Sequence, residues 1–435
     1  GVVFIVNGLF GDVLDFGPIN ELTSVGVGAL LVFLAVSVLS SFIVKPMVRF
    51  LAAPLPRFDK LTGTLSINNT TRKPRRTATT ASALMIGLAL VAFFFILGDS
   101  IKASASSAIE ESLRADYVIS VDGFAGGFSP DLAADLKDEP EVAATTSLRL
   151  GFWDNQGTED FIMGIEADTV DQTIELGVVS GSTAALSQGG VFVQEDVAAD
   201  NGWGLGDTIP MGFAATGLQE LELVGTYEEA NVVQSNYLID LDTYTANFAG
   251  FGTDTDFVVA VKAADGVTVD AARAVVDAAA EDYGTVTVRD QVEYRESQEA
   301  QLNTLLVMFN ALLVLAVIIA LFGITNTLAL SVFERTREVG LLRAVGMTRS
   351  QVRRMVRWES ILIAIIGAIL GIIVGLFFGT VVTASLASQG IDELSIPALQ
   401  IIGLVLFGAI AGLFAAILPA RRASKLNVLE AIAYE

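Results

Sequence analysis

Apolar residues along this chain gather into five runs, at roughly 25–44, 78–98, 303–332, 361–386 and 396–418, none with a charged residue at its centre. A helix crossing a bilayer takes about 20 such residues, because its backbone polar groups must be satisfied within the segment itself. The pattern therefore predicts five transmembrane helices. Between the second and third runs it changes to short β-rich stretches separated by Gly, Asp and Asn. There Tyr117–Val121, 130–136 and 142–150 read as strand, helix and strand, and 257–261, 269–280 and 285–288 repeat that order. They bracket an insert of roughly 160–250 that reads as all-β.

The fold class expected is an α-helical membrane protein with an extracytoplasmic α+β domain, in which two βαβ units bracket a β-rich inserted subdomain. Polar helical stretches at 100–113 and 291–302 are expected to continue the flanking spans outward as a stalk. The divisions are 1–24 (the end of a preceding apolar helix and an outer loop), the span 25–44, a basic loop 45–77, the span 78–98, the outer domain with its stalk helices 99–302, the span 303–332, a charged element 333–360, the span 361–386, an outer loop 387–395, the span 396–418 and a tail 419–435.

Charge gives these pieces sides. The chain has 52% hydrophobic residues yet a net charge of -23, and residues 102–302 hold 37 Asp and Glu against 8 Lys and Arg, leaving 12 and 18 elsewhere. Basic residues crowd the short loops: Lys45, Arg49, Arg57, Lys60, Arg72, Lys73, Arg75 and Arg76 in the first, Arg335, Arg337, Arg343, Arg349, Arg353, Arg354 and Arg357 in the next, and Arg421, Arg422 and Lys425 in the tail. The positive-inside rule places all three in the cytoplasm and the acidic block outside, as in a multi-pass plasma-membrane protein. Arg72, Lys73, Arg75, Arg76, Arg421 and Arg422 are the basic residues expected to flank the membrane. An outside start with no basic leader suggests the C-terminal piece of a longer membrane protein. The acidic surface serves solubility or a salt-adapted host, or else forms a docking surface for a basic ligand.

Between the third and fourth runs lies a charged helical knuckle, Glu334-Arg-Thr-Arg-Glu-Val-Gly-Leu-Leu-Arg-Ala-Val-Gly-Met347. It carries a small apolar face, Val339, Leu342 and Val345, and stops at Gly346. Thr348 and Gln351 follow at capping-box spacing, which predicts a new helix. A rigid turn re-entering the membrane offers a surface for a cytoplasmic partner to push. Gly367, Gly371, Gly375 and Gly379 recur every four residues in the fourth span, with Gly408 and Gly412 in the fifth, a spacing for close helix packing within the chain or across a dimer.

The chemistry available is narrow. Cys and His are both absent, which excludes thiol catalysis, disulfides and His-based metal sites or general bases, and no metal is expected. No Gly precedes a Lys, so there is no Walker A loop. The spans offer no ionisable residue, which disfavours an ion-driven carrier. Trp203-Gly-Leu-Gly-Asp207 reads as a structural turn.

Several segments together resemble the FtsX-like and MacB-type permeases of ATP-binding-cassette systems. The knuckle looks like that family's hallmark loop, Asn69-Thr-Thr-Arg-Lys-Pro-Arg-Arg-Thr77 with Ala83-Leu-Met-Ile-Gly87 is similar to the entry to the span before its outer domain, and Leu418-Pro-Ala-Arg-Arg-Ala-Ser424 is like its terminal signature. The resemblance implies a permease subunit that is not an enzyme, with no cofactor of its own and with ATP and Mg in a partner ATPase. Glu334, Arg335, Arg337, Glu338, Gly340, Arg343, Gly346 and Met347 would line the contact with a cytoplasmic ABC ATPase dimer. The other implied partners are the N-terminal half of the same permease or a second copy, membrane lipid, and an extracytoplasmic protein; no nucleic acid is expected. The implied work is export or extraction of a lipophilic, lipidated or peptide substrate, or alternatively FtsX-like mechanotransmission that activates an outer partner such as a cell-wall hydrolase.

Overall fold

A computed structural model of the chain describes residues 21–425 apart from 73, 122–125, 156, 229–232, 234, 249–253, 285 and 388–389. The expectations for residues 1–20, for Lys73 and for the end of the tail lie outside the described residues. The chain divides into two compact units, one made of residues up to Ala103 and from Leu302 onward, the other of Ser104–Gln301.

The first unit is helical: α1 (Glu21–Leu51), α2 (Lys60–Arg72), α3 (Pro74–Ser112), α4 (Gln291–Glu334), α5 (Thr336–Ala344), α6 (Arg349–Ser385), α7 (Ala398–Ala415) and α8 (Ile417–Ser424). α3, α4, α6 and α7 with α8 are long and apolar enough to cross a membrane, and α1 adds a fifth candidate bent by 63° near residue 41. Pro46 inside α1 removes an N–H that would reach back to the turn of that bend, a usual cause of kinking. α3 and α4 run unbroken for 39 and 44 residues, so the polar stretches 100–112 and 291–302 are parts of the same helices as the apolar runs.

The glycine row of α6 lies against α3. A methyl group on Gly367 would sit 2.7 Å from the Ala81 carbonyl oxygen, one on Gly371 2.7 Å from that of Met85, and one on Gly375 2.6 Å from that of Ala89. Both helices advance four residues per contact, so backbone meets backbone along more than two turns. α7 closes on the other side, with Gly408 against Ala368 and Gly412 against Ala364, and Ser360 Oγ donates to the Gly412 carbonyl at 2.6 Å. Both glycine rows thus serve contacts within the chain. Leu84, Met85, Leu88, Ile363, Ala364 and Ile366 fill the core between them.

Among the described residues, the second unit is built on a ten-stranded sheet: β1 (Tyr117–Val121), β2 (Val142–Asn155), β3 (Thr158–Ile165), β4 (Val178–Gly181), β5 (Val191–Gln194), β6 (Thr208–Phe213), β7 (Gly217–Tyr227), β8 (Tyr237–Asp240), β9 (Val258–Ala263) and β10 (Val286–Asp290). Its order begins β10-β1-β9-β2. The two strand–helix–strand repeats therefore interlock: β9 lies between β1 and β2, and β1 between β9 and β10, all antiparallel to their neighbours. The helices 131–137 and 269–281 pack Leu132, Leu136, Ala272 and Val276 on Tyr117, Ile119, Val259 and Val261.

Beyond β2 the sheet continues β3-β8-β5-β7, and β6 joins β7 to β2 through the Asp154–Gly212 pair, so six strands close into a small barrel. Trp153, Ile162, Val193, Met211, Leu223 and Tyr237 fill it, with Tyr244 and Phe248 from the helix 241–248. The insert is thus β-rich but not all-β, since it also carries short helices at 170–173, 195–201 and 241–248. Helices of four to eight residues are shorter than the window over which helical periodicity can be read. At residues 203–207 the Gly204 N–H donates to Asp207 at 2.7 Å, a turn clasp.

α4 starts with a capping box. The Asp290 N–H donates to Glu293 at 3.0 Å and the Glu293 N–H to Asp290 at 2.8 Å. That backbone bond, with the Arg273 guanidinium at 2.8 Å, holds the Glu293 carboxyl below the usual glutamate range. A lowered carboxyl stabilises the fold above its ordinary value and loses this contribution as pH falls through the lowered one. Protection of the amides in the first turn of α4, taken relative to their intrinsic exchange rate at each pH, should therefore fall on acidification, and Glu293→Gln should remove most of that pH dependence. For the helix pack, Gly375→Ala should destabilise the protein in detergent by about 1–3 kcal/mol through overpacking. Gly403→Ala, where a methyl meets nothing within 4 Å, should instead gain up to about 1 kcal/mol of helix propensity; thermal unfolding gives both signs.

Candidate functional site

The knuckle is formed by the end of α4, the nine-residue α5 and the start of α6. Two consecutive helices can turn this tightly because Gly346 adopts a φ of +111°, open to glycine and strained for other residues. The Thr348 side chain accepts from the Gln351 N–H at 3.3 Å while the Gln351 side chain accepts from the Thr348 N–H at 2.8 Å, completing a reciprocal cap on α6. The turn is anchored by a small core in which Val339 and Met347 meet Val352, Met355 and Val356 of α6 and Ala420 and Ala423 of α8, with Leu342 partly covered. α2 joins it through Leu65, and Ser66 Oγ donates to the Met355 carbonyl at 2.9 Å.

Charged side chains tie the knuckle to the membrane helices. Arg76, at the start of α3, pairs with Glu334 at the end of α4 and donates to the Thr327 carbonyl at 3.1 Å. Arg335, between α4 and α5, reaches Glu359 of α6 at 3.4 Å, with both side chains about nine-tenths buried (12% and 10% exposed). Asn69 of α2 lines the same small cavity as Arg335 and Glu359. α2, α3, α4 and α6 therefore meet at one polar knot directly behind α5.

The residues expected to form one contact surface separate into three groups. Arg337, Glu338 and Gly346 are exposed. Glu334 and Arg335 are engaged with Arg76 and Glu359, and Arg343 is half-buried. Gly340 and Met347 are buried, so they shape the knuckle from within. Val345 is not on the inner apolar face: it caps α5 and is 88% exposed. With Leu341, 49% exposed, it adds an outward apolar component that reading the charges alone missed. Glu359 was also missed, although its signal was present: it is the sole acidic residue between Glu338 and Asp392. Of the flanking basic residues, Arg72, Arg75, Arg421 and Arg422 are exposed, whereas Arg76 belongs to the knot.

Residues 310–428 match the FtsX-like permease C-terminal family, and residues 77–279 match the MacB-like periplasmic core domain. The chain is similar to the ABC transporter permease YtrF of Bacillus subtilis (strain 168), with 37% identity over 150 residues, 31% of this chain and 34% of that protein. It is similar to the macrolide export ATP-binding/permease protein MacB of Hahella chejuensis, with 32% identity over 137 residues, 32% of this chain and 20% of that protein. The chain thus spans between about a fifth and a third of the length of these relatives. Among solved structures, the periplasmic region of MacB from Actinobacillus actinomycetemcomitans aligns at 13% identity and a TM-score of 0.33, over 43% of this chain and 94% of that one. The extracellular domain of YknZ from Gram-positive bacteria aligns at 15% identity and a TM-score of 0.30, over 41% of this chain and 100% of that one.

Removing one partner of a buried ion pair strands the other, at a cost of about 3–5 kcal/mol, whereas an apolar pair of similar volume is near neutral. Glu359→Leu and Arg335→Met should each lower stability markedly, and the double variant should recover most of the loss. Denaturant unfolding of the four proteins gives the coupling.

Proposed function

We propose that the chain, whose residues 310–428 match the FtsX-like permease C-terminal family and whose residues 77–279 match the MacB-like periplasmic core domain, is the transmembrane part of an ATP-binding-cassette system driven by a separate ATPase. The observation that carries this reading is the α5 knuckle. It presents Arg337, Glu338, Leu341 and Val345 outward on a helix that packs on an apolar core between the capped start of α6 and two ion pairs at the end of α4. An exposed apolar residue beside charges on a rigid helix is the composition of a protein contact. The basic loops support placing this face and the C-terminus in the cytoplasm of a plasma-membrane protein, where an ATPase dimer would dock.

Force applied to α5 has a short route inward. Arg335 and Glu359 join the knuckle to α6, and Glu334 and Arg76 join α4 to α3. α3 and α4 are the two helices that continue without a break into the acidic domain, so closure of two ATPases would be relayed along them to the outside. ATP and Mg belong to that partner, and this chain contributes no catalytic residue. α4 keeps only 18% of its most apolar stretch buried, against 56% for α3 and 61% for α6, which leaves a face for a second permease half or copy and for lipid. The work done outside is export or extraction of a lipophilic, lipidated or peptide substrate.

Val345→Asp and Glu338→Ala should each reduce co-purification of the ATPase and its stimulated ATP hydrolysis by about tenfold or more, as loss of an interface anchor does. Association and hydrolysis that stay at the wild-type level would refute the docking face. With the ATPase reconstituted, ATP-dependent movement of a lipophilic compound is the expected result; hydrolase activation without movement would assign the chain to mechanotransmission instead.

A further inference from the structure

Among the described residues, the barrel in the outer domain leaves an apolar patch half open on its outside wall. Phe152 of β2 and Phe161 of β3 are directly paired across the strands, with ring centroids 4.9 Å apart. Alternation puts their neighbours Gly151, Trp153 and Ile162 inside the barrel, while the two rings face out at 51% and 50% exposure. One step further along the same face the paired residues are Asp154 and Glu159. Asp154 lies opposite Gly212 of β6, which lies opposite Leu218 of β7, itself 72% exposed. Gly212 has no side chain to separate the two, so the patch runs across four strands.

A solvent-facing sheet ordinarily alternates apolar inside with polar outside, and an aromatic pair left half open on the polar side gains little from the fold. We propose that this wall of the barrel is a docking surface for a basic, amphipathic segment of an extracytoplasmic protein. Charge selects the occupant. The carboxylates of Asp154 and Glu159 border the rings, and the block 102–302 carries 37 acidic residues against 8 basic. That field repels anionic lipid headgroups and acidic proteins and attracts Lys and Arg. Phenylalanine rings beside carboxylates can take both halves of an amphipathic partner: its apolar side chains stack on Phe152 and Phe161 while its cations meet the rim. The inference goes beyond the permease reading, since it concerns the outer domain and is independent of what docks on α5.

The test uses the full chain in nanodiscs of zwitterionic lipid and a dye-labelled synthetic peptide alternating Leu and Lys, with a Leu–Glu peptide as counterpart. Fluorescence anisotropy should show binding of the Lys peptide only, weakened about tenfold in Phe152→Ser/Phe161→Ser. Asp154→Asn/Glu159→Gln should keep the fold and weaken binding of the Lys peptide about threefold or more, so the charge arm decides even if the aromatic variant melts early. Leu205→Ser, at another exposed apolar residue, should bind as wild type. Equal binding by both peptides, by empty discs, or by wild type and both double variants would overturn the proposal. ATPase association measured on the same preparations shows separately whether the permease reading stands.

Discussion

Backbone-to-backbone packing between α3 and α6 is the constraint on which the membrane unit depends. Lipid tails are as apolar as leucine, so helices in a bilayer gain little by hiding apolar side chains from lipid and must instead fit closely. Gly367, Gly371 and Gly375 remove the side chains that would hold α6 away from the Ala81, Met85 and Ala89 carbonyls. The residues that flank this seam then fall into fixed positions: α7 against Ala364 and Ala368 on one side, and Arg76 at the start of α3 within reach of Glu334.

The knuckle depends on that seam. α5 is only nine residues long and would be marginal alone. It is held because α6 rises from the packed core with a capped first turn, and because Arg335 and Glu359 find each other where neither is well solvated. A buried ion pair adds little net stability, but it is intolerant of misplacement. That intolerance fixes where α5 sits on α6.

The outer domain follows a different physics, with water on its surface and a conventional apolar core. Two interlocked strand–helix–strand repeats make one end of its sheet, and the six-stranded barrel makes the other. Closure removes sheet edges that would otherwise invite pairing with other chains. It also forces every second residue of β2 and β3 outward, and the alternation that buries Trp153 is the one that exposes Phe152.

The apolar runs, the acidic block between them, the Thr348–Gln351 cap and the glycine spacing were all legible in the chain, because each depends on neighbours within a few residues or on composition over a span. The two strand–helix–strand repeats were legible for the same reason. Their interlocking was not, because β1 pairs with β9 and β10 across more than 130 residues, and no local pattern encodes a partner so distant. Nor could local pattern show that Met347 and Gly340 turn inward while Val345 turns out, since that depends on α6 and α8 covering one side of α5. The sequence by itself determined which segments are apolar, where helices begin and which faces could pack. Only the tertiary structure decided which charges are engaged with one another and which are exposed, because burial and ion pairing are set by the side chains that distant segments bring.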